Sequence, residues 1–343
     1  MGQALREADP SVELLFVGSS HGPEGKIAEE AGIPFRAVPS SSMSRSLSFR
    51  NAASLMKLIA GVFRAKRILK DFGPDVVLGT GGYTTAAVLL AQWMLHGRIV
   101  VHEQNAIPGR TNRWLARIAD RVCVSFDSST SQFPKAKVVV TGMPVRREFA
   151  SLPEKAEARR AFGLDTHDFT ILVVGGSQGA RKLNELIVDA WPMIDDGNTQ
   201  ILHSVGVRNF DEVKAKMGSG REKHHIAGYL DMLVAVASAD IVICRGGAST
   251  IAENTAAGLP AIFIPLPSAY ADHQRFNAAY VVDHSAALMF DQATLTSEVL
   301  AAAISELRSS PEKLKAMSAA SASLGKFDAA GRIAEVVREV ANS

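Results

Sequence analysis

Three glycine-rich turns stand between a short apolar run and a helix-length segment: LGTGGYTTAAVLL at 78–90, VVGGSQGARKL at 173–183 and CRGGASTIAENTAAGLP at 244–260. Such a junction lets backbone N–H groups approach an anion, and the following helix contributes the positive end of its dipole, so the chemistry on offer is phosphate binding. The first turn presents Gly79, Gly81 and Gly82 with Tyr83 beside them, although a tight turn that merely needs positive φ accounts for it equally well. The second presents Gly175, Gly176 and Gly179, with Ser177 and Gln178 adding side-chain bonds. This second loop has neither the G-x-G-x-x-G spacing nor the terminal Gly-Lys-Ser/Thr of a Walker loop, which argues against a nicotinamide cofactor and against a nucleotide hydrolase. In the third, a helix begins near Thr250 and Glu253 lies one turn in, where its carboxylate can accept from vicinal ribose hydroxyls. Thr250-x-x-Glu253 also fits a helix capping box, and taken alone the cap is the better reading.

Three further segments carry an excess of polar side chains at strand ends. HEQNAIPGRTN at 102–112 sets His102, Glu103, Gln104 and Asn105 in a row, which is costly as core and sensible as a binding edge. TGMPVRREF at 141–149 places Arg146 just after a strand, and YADHQRFNA at 270–278 supplies His273 and Gln274, though by itself that stretch reads as a solvated loop. No D-x-D occurs, and no His, Cys or carboxylate cluster has metal-ligand spacing, so neither a metal nor another cofactor is expected. Without a metal, a departing diphosphate must be neutralised by helix N-termini, backbone amides and an arginine such as Arg146.

The elements that must position these residues follow a βαβ rhythm, short β-branched runs alternating with helix-length segments, which denotes parallel sheets covered on both faces. Strands are expected near 12–18, 35–38, 75–79, 98–102, 121–125 and 137–141, then near 169–175, 200–206, 224–227, 240–244, 261–265 and 286–290. At 343 residues the chain suits two domains, and Pro144 and Pro153 bracket a plausible hinge. The expected fold is α/β, two doubly wound Rossmann-like domains facing a cleft. A net charge of +2 gives no argument for a nucleic-acid partner. With only Cys123 and Cys244, a disulfide framework is excluded and a reducing compartment is favoured. No apolar run approaches the ~20 residues of a spanning helix.

Comparing the two halves exposes an asymmetry. The second opens strand, glycine loop, helix, strand (FTILVVGGSQGARKLNELIVDAWPMIDDGNTQILHSVG), whereas MGQALREADPSVELLFVG at 1–18 matches only its helix and second strand. The strand near 12–18 and that near 75–79 are therefore expected to flank a gap, and upstream residues to supply what would fill it.

Together the segments GTGGY (79–83), HEQN (102–105), TGMPVR (141–146), GGSQGA (175–180), CRGGASTIAE (244–253), AAGLPAIFIP (256–265) and DHQRFNA (272–278) resemble the MurG-type lipid I N-acetylglucosaminyltransferases of bacterial peptidoglycan synthesis. The resemblance implies a GT-B fold, with an acceptor domain at 1–147 completed by a C-terminal helix at about 328–343, and a donor domain at 148–327. It implies an inverting, metal-independent transfer of N-acetylglucosamine from UDP-N-acetylglucosamine to the C4 hydroxyl of the muramoyl sugar of lipid I. By position Ser177 and Gln178 match the donor loop, Arg146 the residue near the diphosphate and Glu253 the ribose ligand, which reverses the preference for a cap. The segment around Tyr229 matches the uracil-reading backbone, while His273 and Gln274 match positions that meet sugar hydroxyls. Asn105 and Gly79, Gly81, Gly82 and Tyr83 fall on the acceptor side. The family's initial Gly-Gly-Thr-x-Gly-His loop has no counterpart, so donor binding without normal turnover is expected, and His102 and Glu103 are the remaining titratable candidates for catalysis. The alternatives are a non-catalytic UDP-sugar-binding relative and a UDP-sugar 2-epimerase.

A lipid-linked acceptor implies a peripheral protein at the cytoplasmic face of the bacterial plasma membrane. SLMKLIAGVFRAKRILKDFG at 54–73 offers Met56 and Phe63 to an anionic surface among Arg64, Lys66 and Arg67, with Leu58 and Val62 facing inward. A core helix with a solvated basic face fits the same spacing. The serine-rich stretch at 39–51 reads as a loop and receives no role.

Overall fold

The computed structural model describes residues 1–20, 22, 24–39, 49–176, 179–218, 222–267 and 269–343, with backbone alone at 49–53, 55 and 270. Ser177, Gln178 and nearly all of the serine-rich stretch lie outside the described residues. The chain forms two compact units, Met1–Met143 with Asp328–Ser343, and Pro144–Phe327. In chain order the elements run α1 (Gly2–Ala8), β1 (Phe16–Ser19), α2 (Glu24–Glu30), β2 (Phe35–Val38), α3 (Phe49–Phe72), β3 (Val76–Gly79), α4 (Gly82–Met94), β4 (Arg98–Glu103), α5 (Arg110–Leu115), β5 (Arg121–Val124) and β6 (Val138–Val140). The second unit continues with α6 (Lys155–Ala161), β7 (Phe169–Val174), α7 (Arg181–Ile194), β8 (Thr199–Ser204), α8 (Phe210–Met217), β9 (His224–Ala227), α9 (Met232–Ser238), β10 (Ile241–Cys244), α10 (Ala248–Ala256), β11 (Ala261–Phe263), α11 (His273–Asp283), β12 (Ala287–Met289), α12 (Ser297–Ser309) and α13 (Pro311–Leu324). The last helix, α14 (Ala329–Ala341), belongs to the first unit.

In the first unit β3-β4-β5-β6 form a parallel sheet. Its period-2 alternation sends Ile99, Val101, Val122 and Val124 to one face against Leu89, Leu115 and Phe133, and Val100 and Cys123 to the other. That second face is covered by Ile333, Val336, Val337 and Val340, spaced as one stripe of α14. Arg98 fastens the helix by donating to the carbonyls of Val340 and Ala341, a cation at the negative end of the helix dipole.

β1 and β2 pair in a separate two-stranded parallel sheet, and among the described residues no ladder joins β1 to β3, although Val17 and Val77 pack into one cluster with Val62, Ala65 and Val88. β1 begins at Phe16 rather than near residue 12. Asp9 spends its carboxylate on a turn, accepting from Ser11 N at 2.9 Å, and Pro34, immediately before β2, has no N–H with which to prolong the ladder.

The second unit is a six-stranded parallel sheet in the order β12-β11-β10-β7-β8-β9. β7, the strand that opens the unit, lies between β8 and β10, and its residues Ile171, Leu172 and Val173 are fully buried. In the first unit the equivalent place, between β1 and β3, carries no described strand.

Candidate functional site

Register places three candidate segments at one edge of the second sheet. Val174 at the end of β7 pairs with Cys244 at the end of β10, which pairs with Phe263 at the end of β11. The chain therefore leaves the sheet side by side at Gly175, Arg245 and Ile264, on the way to α7, α10 and α11. A Cβ at Gly175 would lie 2.7 Å from Ala180 N, so the chain there is folded too closely for any side chain.

The 246–247 turn is pinned from α11. Buried Asn277 donates from Nδ2 to Gly246 O at 3.1 Å, and a Cβ at Gly246 would lie 2.1 Å from Gln274 O. Gln274 Oε1 accepts from Leu266 N at 3.0 Å, while His273 is the half-buried first residue of α11. Ala271 and Asp272 just before it hold left-handed backbone, with φ of 51° and 56°, a conformation that costs non-glycine residues energy and recurs at ligand-binding turns. Arg245, which drew no attention in the sequence beyond its place in CRGG, is buried and donates to Ile264 O and Gln292 Oε1, both at 2.7 Å. Both of these acceptors are neutral, and burial pulls the Arg245 pKa down from the ordinary value.

α10 starts at Ala248 with Gly247 as its N-cap and no side-chain cap. Thr250 consequently sits inside the first turn instead of capping it, and no Thr250–Glu253 capping box forms, in keeping with the cap being set aside for Glu253. Glu253 is left half-buried: desolvation pushes its carboxyl pKa up, and the positive charge of Arg146 draws it partly back. Arg146 is exposed, with Nη2 3.9 Å from Asp231 Oδ1 and its guanidinium 5.4 Å from the Phe149 ring centre. Tyr229 follows β9 and is 80% exposed, next to buried Leu230.

In the first unit Gly79 ends β3 beside Val101 of β4. α4 begins at Gly82, because Gly81 and Gly82 both take positive φ (97° and 86°) and turn the chain into the helix at once. Tyr83 is exposed in its first turn. Gln104 ties the two strand ends together, donating from Nε2 to Thr80 O at 2.7 Å.

His102 and Glu103 point into the protein. Glu103 is buried and accepts from Asn105 N (2.9 Å), Asn105 Nδ2 (3.3 Å), Gly109 N (3.1 Å) and Asn112 Nδ2 (2.9 Å), so its carboxylate organises the whole 105–112 loop. His102 Nε2 lies 3.1 Å from Gly142 O, and burial drives its pKa down to about 4. Asn112, seven residues beyond the polar run at 102–105, carries no local signal of a role; it is buried, and a Cβ on Gly81 would lie 3.2 Å from its Nδ2, so it backs the glycine turn.

On α3, Phe63 is 65% and Met56 71% exposed, while Leu58 and Val62 are half-buried. Arg64 donates from Nε to Ala37 O at 2.9 Å, Lys66 is half-buried and Arg67 is exposed. Among the described residues no helix is long and apolar enough to cross a membrane, and no group of three or more His, Cys, Asp or Glu is placed to hold a metal ion.

Residues 1–124 match the profile of the glycosyltransferase family 28 N-terminal domain, and residues 170–333 that of the glycosyltransferase family 28 C-terminal domain. The UDP-N-acetylglucosamine--N-acetylmuramyl-(pentapeptide) pyrophosphoryl-undecaprenol N-acetylglucosamine transferase of Bacillus pumilus is 37% identical over 348 residues, spanning 98% of this chain and 93% of that one. The identically named protein of Bacillus subtilis is 35% identical, with 98% and 93% covered. Among solved structures, MurG of Acinetobacter baumannii superposes with a TM-score of 0.80 at 28% identity, covering 98% of this chain and 95% of that one. The UDP-GlcNAc 2-epimerase of Neisseria meningitidis, solved with UDP-GlcNAc bound, superposes at 0.71 with 13% identity over 98% of this chain and 94% of its own, a likeness of fold alone.

Proposed function

The chain belongs to glycosyltransferase family 28, and from that membership we propose that it transfers N-acetylglucosamine from UDP-N-acetylglucosamine to the muramoyl sugar of undecaprenyl-diphosphate-linked lipid I. The second unit takes the donor. The observation that carries this reading is the shared edge of β7, β10 and β11, where two glycine turns feed helix N-termini beside Glu253 and buried Arg245. Main-chain N–H groups and helix dipoles there suit a diphosphate, and Glu253 suits the ribose hydroxyls. Ser177, Gln178, Arg146, Tyr229, His273 and Gln274 complete the proposed donor contacts.

In this reading the acceptor C4 hydroxyl attacks the anomeric carbon on the face opposite UDP. The C1–O bond to the diphosphate breaks as the new glycosidic bond forms, which inverts the configuration; the C4 hydroxyl proton passes to solvent water, and the charge gathering on UDP is met by the turns and by Arg146 and Arg245 without a divalent cation. The first unit takes the acceptor at Gly79, Gly81, Gly82, Tyr83 and Asn105. With four hydrogen bonds already accepted, Glu103 serves as the clamp of the acceptor loop, and His102 stays neutral beneath it. The apolar and basic side chains of α3 rest on an anionic bilayer.

The experiment is transfer of radiolabel from UDP-N-acetylglucosamine to a lipid I analogue with EDTA present, alongside UDP calorimetry. Labelled disaccharide-lipid and cation-independent UDP binding are expected. UDP binding that appears only with magnesium would overturn the electrostatic part, and label released as free sugar without acceptor dependence would overturn the transfer.

A further inference from the structure

The donor reading leaves unused a chain of buried polar side chains behind the 175–179 turn. His203 on β8 is fully buried, with Nδ1 3.2 Å from Nε2 of His224 on β9 and Nε2 3.1 Å from Oδ1 of Asn184 on α7. Asn184, itself buried, donates from Nδ2 to Val205 O at 3.0 Å, and Asn209 Nδ2 donates to the same carbonyl at 3.0 Å. The bonds have one consistent direction. Because the Asn184 amide nitrogen faces Val205 O, its oxygen faces His203, so His203 must carry its proton on Nε2. Its Nδ1 is then an acceptor, and His224 donates to it from Nε2. Burial holds His203 well below the usual histidine range, which keeps this relay neutral.

The far end of the relay touches the glycine turn. Gly179 has φ of 72°, and a Cβ there would lie 2.3 Å from Asn209 Nδ2 and 2.5 Å from Val205 O. The last glycine of the turn is thus pressed against the two groups that Asn184 and Asn209 tie together. Asn184 stands one helical turn further on, with its N–H bonded to Ala180 O at 2.8 Å.

We infer that His203 is a positioning residue for the donor diphosphate: acting through Asn184, it fixes the Val205 carbonyl against which Gly179 is seated, and so sets where the Gly179 amide and the N-terminus of α7 point. The inference rests on the donor reading. It assigns His203 no contact with substrate.

The test compares His203→Leu, which fills the space but removes both bonds, with His203→Gln, whose amide can still donate to Asn184 Oδ1. UDP affinity is measured by calorimetry, melting temperature separately, and hydrogen exchange at residues 179–184. His203→Leu is expected to weaken UDP binding about tenfold and to speed exchange at 179–184, with His203→Gln restoring most of both. Equal affinity in wild type and His203→Leu overturns the inference, as does equal loss in the Leu and Gln variants, which would mark a packing role. If the wild-type protein bound no UDP at all, the donor reading itself would fail. Unchanged exchange at 179–184 in His203→Leu would then count separately against the positioning role.

Discussion

Asn277 holds Gly246 from beneath: its buried amide donates to the glycine carbonyl at 3.1 Å, and the α11 backbone leaves no room for a Cβ on the glycine. The turn before α10 is therefore shaped by α11, a helix that starts almost thirty residues later in the sequence. Gly246→Ala must displace the Gln274 carbonyl and is expected to abolish UDP binding. Asn277→Leu removes one buried hydrogen bond and leaves the Gly246 carbonyl unpaired, a loss of roughly 1–3 kcal/mol in folding stability. Chemical denaturation and calorimetry check the pair; an Asn277→Leu protein as stable as wild type would show that the contact is incidental.

Glu253 gives the proposed donor site a pH dependence whose sign follows from its burial. Desolvation favours its protonated form, so its folded pKa lies above the ordinary 4.5. As pH rises through that raised value the folded state must ionise a half-buried carboxyl, and its contribution to stability falls. If Glu253 holds the ribose as proposed, the same ionisation creates the acceptor for its hydroxyls, so UDP affinity is expected to rise over the same window. Glu253→Gln is expected to flatten both trends and to bind UDP about tenfold more weakly at neutral pH. Comparing UDP with its 2′,3′-dideoxy analogue isolates the contact: wild type should prefer UDP and Glu253→Gln should not. Equal affinity of wild type for the two nucleotides would remove Glu253 from the ribose.

His102 predicts an acid-sensitive first unit. Its folded pKa of about 4 lies below the ordinary 6.5, so between these values the unfolded chain binds a proton that the folded chain refuses. Stability is complete above about pH 6.5 and is lost as pH falls toward 4; the full difference corresponds to roughly 3 kcal/mol. His102→Gln should lose less stability than wild type between pH 7 and pH 4 in urea titrations. Parallel curves for the two proteins would mean that His102 titrates freely.

The sequence discloses the sheet architecture because parallel strands buried on both faces must be apolar runs, and VVLG, RIVVHE, FTILVV and DIVIC have no other comfortable place. The first half, opening at a helix where the second opens at a strand, likewise foreshadows that among the described residues no ladder joins β1 to β3. Side-chain direction at strand ends is a different matter. His102 and Glu103 close β4, where one residue's shift in alternation separates a binding edge from the interior, and only the bonds from Gly109 and Asn112 reveal that the carboxylate faces in. The capping box around Thr250 fails for a similar reason: α10 begins at Ala248, because Gly247 already ends the turn in extended backbone. Arg245 and His203 sit within apolar strands or at their ends, and their partners lie 19 or more residues away, which no local pattern records.

The proposed bilayer contact of α3 can be divided into apolar and electrostatic parts. Exposed Phe63 and Met56 each offer roughly 1.5–3 kcal/mol if buried among acyl chains, and each basic residue near an anionic surface about 1 kcal/mol. Arg64 is a poor probe, since its bond to Ala37 O anchors α3 to β2, so charge reversal there disturbs the fold. Lys66→Glu with Arg67→Glu reverses two charges while sparing that bond. Co-sedimentation with vesicles containing phosphatidylglycerol should fall steeply in this variant at low salt and hardly differ from wild type at high salt, where screening has already removed the charge contribution. Phe63→Ser should weaken binding by roughly thirtyfold at either salt concentration, because apolar burial is not screened. Binding that survives both substitutions would make α3 an ordinary solvated helix and move any bilayer contact to another face of the first unit.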